Sequence, residues 1–136
     1  MSNTRDYNAE HVDNARKYAY GFDFDVMHPL MVRSFAPFFR PGSMLELGSF
    51  KGDFTARLTE HFSDLSCVEA SNVAMEEARQ RLGDKVQYFN SLFETVQRPR
   101  SYDNIVMTHV LEHLDDPIAV LSRINRDSGI LGPLAA

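Results

Sequence analysis

The sequence of 136 residues contains a single cysteine, Cys67, and no tryptophan. One thiol cannot form a disulfide within the chain, and it excludes a zinc cluster built from the cysteines of one chain. A lone cysteine is also typical of proteins in a reducing compartment. We therefore expect a cytoplasmic protein.

Long apolar segments and an excess of positive charge are also missing. No apolar run approaches the roughly 20 residues needed to cross a bilayer, and the first six residues are too polar for a signal peptide. The net charge is −5, from 14 Lys plus Arg against 19 Asp plus Glu, which argues against a surface that neutralises a nucleic-acid backbone. We expect a soluble protein with a small-molecule partner and with neither nucleic-acid nor membrane partners.

The composition that is present, 43% hydrophobic and 24% charged, is that of an ordinary globular domain. Helical spacing of apolar residues predicts a first helix over residues 8–20, with Asn8 as its N-cap. A loop over residues 21–25 and a second helix over 29–39, with Pro29 near its start, are predicted next. Residues 1–40 are thus expected to form an N-terminal helical segment.

Strands and helices alternate after residue 40. The alternation predicts helices on both faces of a mainly parallel sheet, because parallel strands need crossover connections. The expected fold class is α/β, a Rossmann-like three-layer α/β/α arrangement of about four strands whose core covers residues 41–126. The predicted strands are 43–47, 65–69, 85–89 and 104–108, and the predicted helices are 53–61, 71–82 (with Ser71 as N-cap and Gly83 as its stop) and 117–124.

After Arg126 the pattern contains only scattered apolar residues. We predict an irregular tail over residues 127–136 and no C-terminal strands. A sheet that stops at four strands leaves an open edge, which favours pairing with a second copy as a homodimer.

A glycine turn follows the first predicted strand. Ligands of open parallel sheets bind beyond the carboxyl ends of the strands, normally after the first one. Gly48 would let the chain bend sharply there, and Gly52 would let the next helix begin close to a ligand with unbonded N–H groups. The middle glycine of a GxGxxG pattern is missing, which disfavours a pyrophosphate site.

Glu69 ends the second predicted strand, at the place where an acidic side chain accepts hydrogen bonds from ribose hydroxyls. The implied ligand is a nucleoside. Each feature alone also fits a purely structural turn and a solvated strand end, but their common register favours the binding site. A nicotinamide-dependent oxidoreductase stays open, because the same acid would serve NAD.

Three segments carry a resemblance to a known family. Residues 45–55, 68–71 and 102–117 resemble the glycine motif, the ribose-binding motif and the fourth-strand motif of class I S-adenosylmethionine (SAM) dependent methyltransferases, in the small-molecule branch of types 11, 12 and 23. The resemblance covers residues 40–125 and implies an enzyme. It would transfer a methyl group from SAM to an O, N or C nucleophile of a small molecule and release S-adenosylhomocysteine (SAH). The apparent lack of the C-terminal part of the domain implies the alternative, a catalytically incomplete SAM-binding or assembly module.

The resemblance also implies roles for individual residues. Glu46 and Gly48 would face the methionine part of SAM, Glu69 the ribose, and residues 90–92 the adenine. The family often has glycine where Phe50 stands, so this turn is expected to be bulkier. The full set of implied cofactor-binding residues is Glu46, Gly48, Ser49, Phe50, Gly52, Glu69, Ala70, Ser91, Leu92 and His109.

Residues 109–113 read as HxxEH, the pattern of a zinc-peptidase helix. Here the pattern directly follows a strand, so it is expected at the mouth of the SAM pocket. Some O-methyltransferases bind a divalent ion through a similar ExxEH sequence, but His109 replaces the first glutamate. We predict no metal, with His109, Glu112 and His113 as the weaker alternative.

The same cluster has two further interpretations. Glu112 and His113 could cap and orient the loop, or His113 could act as a general base, since an unperturbed imidazole has a pKa of about 6.5. His109 is the second catalytic candidate. The resemblance also implies that residues 1–40 form a helical lid or cap segment, in which Tyr18 and Tyr20 would close over the substrate. Aromatic residues there could equally fill the core.

Overall fold

The computed structural model describes residues 5–9, 23–93, 95, 100–128 and 134–135. Residues 7–9 are helical, and the Oδ1 atom of Asp6 accepts hydrogen bonds from the backbone N–H of Asn8 at 3.0 Å and of Ala9 at 3.1 Å. Asp6, rather than the predicted Asn8, is therefore the N-cap. The rest of the predicted first helix, with the proposed lid residues Tyr18 and Tyr20, lies outside the described residues.

The prediction of a loop over residues 21–25 is wrong for residues 23–25, the part that the structure describes. A π-helical segment, Asp23–Met27, leads directly into helix α1, His28–Phe35, and a 3-10 turn, Ala36–Phe38, follows. The acidic residues of the π-helical segment favour a helix start, because the N-terminus of a helix carries partial positive charge. Pro29 stands in the first turn of α1, where its missing N–H costs no hydrogen bond.

The predicted strands are all present, in a parallel sheet. They are β1 (Met44–Leu47), β2 (Leu65–Glu69), β3 (Gln87–Asn90) and β4 (Asn104–Met107). A fifth strand, β5 (Leu134–Ala135), completes the order β3-β2-β1-β4-β5. The α/β Rossmann-like fold is thus confirmed.

The expectation of no strand after Arg126 is wrong, since the two residues of β5 pair in parallel with β4. So short an element leaves no pattern of alternation in the sequence, and its position is set by the neighbouring strand.

The helices agree with the predictions except at their ends. They are α2 (Asp53–Leu58), α3 (Asn72–Leu82) and α4 (Pro117–Ser128). Ser71 caps α3 as predicted, because its side chain accepts a hydrogen bond from the N–H of Ala74 at 3.2 Å. Gly83, with a φ of +54°, stands at the C-cap as predicted.

Alternate residues of β1 point to the two faces of the sheet and form two cores. Met44 packs with Phe54 and Leu58 of α2 on one face, whereas Leu45 and Leu47 pack on the other. Burial on both faces explains why β1 is entirely buried, as expected for the central strand of a parallel sheet. The sheet therefore has one hydrophobic core on each face, as predicted for a three-layer α/β/α arrangement.

Side-chain hydrogen bonds fix the N-terminal ends of β1 and β4. The Asn104 Nδ2 atom donates to the carbonyl oxygens of Arg40 at 2.8 Å and Ser43 at 3.0 Å, and its Oδ1 atom accepts from the N–H of Arg40 at 2.8 Å. Asp103 Oδ2 accepts from the N–H and the hydroxyl of Ser43, and these bonds lower the pKa of Asp103. This end of the sheet is structural, which leaves the opposite end for a ligand.

Candidate functional site

The turn after β1 requires its two glycines. Gly48 and Gly52 both have a φ of +85°, in the left-handed region that favours glycine. A Cβ atom at Gly48 would lie 2.5 Å from Val110 Cγ2, and one at Gly52 would lie 2.9 Å from the Cβ of Ala78. The two glycines therefore bring the turn against the loop after β4 and against α3.

Phe50 lies at the top of this turn in an unusual conformation for its type. Its φ is +51°, so its backbone has the geometry that glycine adopts most easily. Its N–H donates to Glu69 Oε1 at 3.0 Å, and the Lys51 ammonium lies 5.6 Å from the centre of its ring. The sequence marked this residue as a departure from the family pattern, and the structure shows an aromatic side chain held at the site by a strained turn.

Glu69 joins the two ligand-binding loops predicted from the sequence. Its Oε1 atom accepts from the N–H of Phe50 in the first loop, and its Oε2 atom accepts from the N–H of Ser71 at 2.7 Å in the second. Only 9% of the residue is exposed. Glu69 thus fixes the main chain of both loops at the carboxyl edge of the sheet.

Glu46 is a buried carboxyl group beneath the turn. The residue is 1% exposed, and its Oε2 atom accepts a short hydrogen bond from the hydroxyl of Thr55 in α2. Its Oε1 atom has no hydrogen-bond partner among the residues that the structure describes. Burial raises the pKa of Glu46 to about 8, and the negative charge of Glu69 acts in the same direction.

The predicted adenine side lies at the end of β3. The Asn90 Nδ2 atom donates to the carbonyl oxygens of Glu69 at 2.9 Å and Ala70 at 3.2 Å, and Ser91 N–H donates to Glu69 O at 3.2 Å. The side chain of Asn90 thus holds the main chain of the second loop. The predicted adenine residue Leu92 is 38% exposed.

The cluster at residues 109–113 lies on an exposed loop and a 3-10 turn, Leu111–His113, rather than on an α-helix. Glu112 Oε1 lies 3.8 Å from His109 Nδ1 and 3.9 Å from His113 Nε2, which are ion pairs only when the histidines are protonated. The side chains of His109 and His113 are 73% and 57% exposed. The zinc-peptidase pattern therefore lacks its helix.

No three His, Cys, Asp or Glu side chains come together as possible metal ligands within the described ranges. The weaker alternative of a metal at His109, Glu112 and His113 gains no support from this geometry. His109, in the loop after β4, has a φ of +54° and, like Phe50, is a non-glycine residue in the left-handed region. Among the described residues, Phe50 and His109 are the two non-glycine residues with positive φ, and both belong to loops at the carboxyl ends of strands.

The N-terminal segment contacts the site from two directions, and sequence reasoning missed these contacts. The hydroxyl of Ser71 donates to Asn8 Oδ1 at 2.8 Å, and the Arg5 guanidinium donates to the carbonyl oxygen of His113. The partners are 63 and 108 residues apart in the chain, so no local pattern could have revealed them. Val110, which contacts the glycine turn, was missed for the same reason.

Comparison with known proteins identifies the family. A family model described as a methyltransferase domain matches residues 45–127, more than half of the chain. The chain therefore belongs to the methyltransferase-domain family. No curated protein sequence matches it.

Solved structures show the same fold. The complex of DhpI with SAH is 23% identical, with a TM-score of 0.72, over 90% of this chain and 59% of that one. DesVI of Streptomyces venezuelae is 17% identical, with a TM-score of 0.68, over 90% of this chain and 53% of that one. The sugar N-methyltransferase KedS8 of Streptoalloteichus is 18% identical, with a TM-score of 0.63, over 93% of this chain and 51% of that one. The chain thus spans between about half and three fifths of the length of these structures.

In the part of the chain that is described, no helix is both long and apolar enough to cross a membrane.

Proposed function

We propose that the chain is the cofactor-binding part of a methyltransferase that takes its methyl group from SAM and transfers it to an O, N or C nucleophile of a small molecule. The observation that carries the proposal is the position of Glu69, whose carboxylate binds the N–H groups of Phe50 and Ser71 in two loops at the carboxyl edge of the sheet. A ribose lying between those loops would meet this carboxylate. The similar structure of DhpI was solved with SAH, which supports the same class of ligand.

The reaction would be an in-line displacement. Bound SAM would supply an electrophilic methyl group, whose bond to the sulfonium sulfur would break as the bond to the acceptor nucleophile formed, with the electron pair left on the sulfur of SAH. A hydroxyl or amine acceptor would lose its proton to a base. Positioning of the two reactants supplies most of the rate enhancement in such a step.

Within this proposal, Glu46, Gly48, Ser49, Phe50 and Gly52 would contact the methionine part of the cofactor. Ala70, Ser91 and Leu92 would line the adenosine. His113 would serve as the general base, with His109 beside the cofactor as the second candidate. Tyr18 and Tyr20 would cover the acceptor.

The location and assembly of the protein belong to the same proposal. Cys67 is a buried free thiol, which suits a reducing cytoplasm. Among the described residues, β5 pairs with only Ile105 and Val106 of β4, which supports pairing of the sheet edge with a second copy. Sedimentation at several protein concentrations would measure that pairing, and a monomer at all concentrations would contradict it.

Calorimetric titration with SAH and with NAD tests the proposed ligand. We expect SAH to bind and NAD not to bind, because the turn has no third glycine for a pyrophosphate. Glu69→Gln should weaken SAH binding by roughly 10- to 100-fold, the value of one or two charged hydrogen bonds. Glu60→Gln is the matched control, since the side chain of Glu60 is 64% exposed just beyond the C-terminal end of α2.

Two results would contradict the proposal: a folded protein that does not bind SAH, or equal weakening by both glutamate substitutions. Radiolabelled SAM with a panel of hydroxyl and amine acceptors then tests transfer. His113→Ala should lower the transfer rate roughly 100-fold or more with little change in SAH affinity. Binding of SAH without any transfer would instead favour the alternative, a SAM-binding module without activity.

A further inference from the structure

We propose that SAM binds to this protein with release of a proton from the carboxyl group of Glu46, so that the pocket favours the positively charged cofactor over the uncharged sulfur of its product. This inference rests on the proposed function, because it concerns the same site. The carboxyl group of Glu46 would be a neutral acid before the cofactor binds and an ionised carboxylate afterwards. Its proton would pass to the solvent.

Glu46 is isolated from water and, among the described residues, from hydrogen-bonded or ion-paired cations. It stands in the central strand, 1% exposed, between Cys67 of β2 and Val106 of β4 in the sheet register. Neither neighbour carries a positive charge. A carboxylate with no cation in such a place loses its hydration without compensation, so its neutral form is favoured.

Polar and ionisable groups lie on the elements packed around Glu46. Helix α2 contributes the hydroxyl of Thr55, which donates to Glu46 Oε2. Strand β2 contributes Glu69, a second carboxylate, and the thiol of Cys67. Helix α1, which packs against α2, carries His28, whose ring lies edge-on to Phe54 with 5.4 Å between centres. No basic side chain forms a hydrogen bond or ion pair with Glu46 within the described ranges.

The remaining oxygen of Glu46 is the Oε1 atom. It is buried and has no hydrogen-bond partner in the described part of the chain. Such an atom costs free energy unless something binds to it. A carboxyl oxygen in this position beneath the glycine turn fits a cationic or hydrogen-bond-donating group of a ligand.

These features set the direction of the proton movement. Burial and the charge of Glu69 raise the pKa of Glu46 to about 8, so the carboxyl group is mainly protonated at neutral pH. SAM brings a sulfonium and an ammonium group, and a cation within about 4–6 Å favours the ionised carboxylate. The product SAH has lost the sulfonium charge with its methyl group. Glu46 should then recover its proton more readily, which weakens the product complex relative to the SAM complex.

The experiment is calorimetric titration of the full chain with SAM and with SAH at pH 7, in buffers of different ionisation enthalpy. The dependence of the heat on the buffer gives the number of protons released. We expect the wild-type protein to release up to one proton more than Glu46→Gln when SAM binds, and a smaller excess when SAH binds. The control Glu60→Gln should behave as the wild type does.

The affinity gives a second measurement, independent of the heat. For the wild type, SAM binding should tighten by up to tenfold per pH unit from pH 6 to about 8 and then level off, because one proton is released. Thr55→Val removes the hydrogen bond that lowers the pKa of Glu46 and should move the levelling to higher pH. This variant keeps the test available should Glu46→Gln fail to fold.

Binding of both ligands with equal proton release by the wild type and Glu46→Gln would overturn this inference and leave the proposed function intact. A pH-independent affinity of the wild type between pH 6 and 8 would do the same. Failure of a folded protein to bind either ligand would overturn the proposed function and this inference with it.

Discussion

Replacing Glu46 by glutamine should make the protein more stable at alkaline pH, in the absence of any ligand. Glutamine has the same shape and keeps an oxygen that can accept the hydrogen bond from Thr55, but it cannot ionise. In the wild type, the pKa of Glu46 is about 8 in the folded state and is raised from an ordinary value of 4.5. The folded state therefore holds a proton that the unfolded state has lost between those two values.

The sign and size of the effect follow from this difference. Stability contributed by the protonated group is fully present below pH 4.5 and is lost as the pH rises to about 8. The span from 4.5 to about 8, at about 1.4 kcal/mol per pKa unit, sets a ceiling of about 5 kcal/mol. Relaxation of the site and entry of water reduce such penalties, so we expect a loss of about 2–3 kcal/mol.

Urea unfolding of both proteins at pH 5, 7 and 8.5 measures the free energy of unfolding at each pH. The difference between the wild type and Glu46→Gln isolates the group, because all other titrating residues are common to both. We expect the variant to gain on the wild type steadily as pH rises, with unchanged dependence on urea. Curves that remain parallel over this range would refute the reasoning about the buried carboxyl group.

Three further predictions concern the turn and the opposite end of the sheet. Gly48→Ala should lower the free energy of unfolding by about 2–4 kcal/mol, because the new Cβ atom would clash with Val110 at a backbone position with left-handed φ. In urea unfolding, the additional change Val110→Ala should recover part of this loss. Strictly additive effects of the two changes would contradict the contact. Phe50→Gly should be about 1 kcal/mol more stable than Phe50→Ala, the reverse of the usual order, since φ is +51°; the usual order would mean an unstrained turn. Asn104→Ala should lower the free energy of unfolding by about 2–4 kcal/mol, because it removes three hydrogen bonds to Arg40 and Ser43, and a change below about 1 kcal/mol would contradict their role.

The core of the fold could be predicted because its signals are local. Each of β1, β2 and β4 is a short apolar run next to a turn or cap residue, and Ser71 and Gly83 mark the limits of α3 by their own backbone chemistry. The positions of Gly48 and Glu69 could be predicted because each stands at the carboxyl end of a predicted strand. Register then brings these ends to one edge of the sheet.

The remaining features depend on contacts between distant parts of the chain. Asp6 caps the N-terminal helix in place of Asn8, whose side chain instead accepts from Ser71, 63 residues away. The two residues of β5 are a strand only because β4 lies beside them. The sequence indicated an unusual residue at Phe50, but its left-handed backbone and its bond to Glu69 are properties of the folded turn.

A crystal structure of the protein with SAH tests the central claim most directly. We expect the ribose hydroxyls to lie within hydrogen-bond distance of the Glu69 carboxylate. The amino-acid part of the ligand should lie next to the turn between Gly48 and Gly52 and above Glu46. Adenosyl density elsewhere on the molecule, or a ribose with no contact to Glu69, would contradict it.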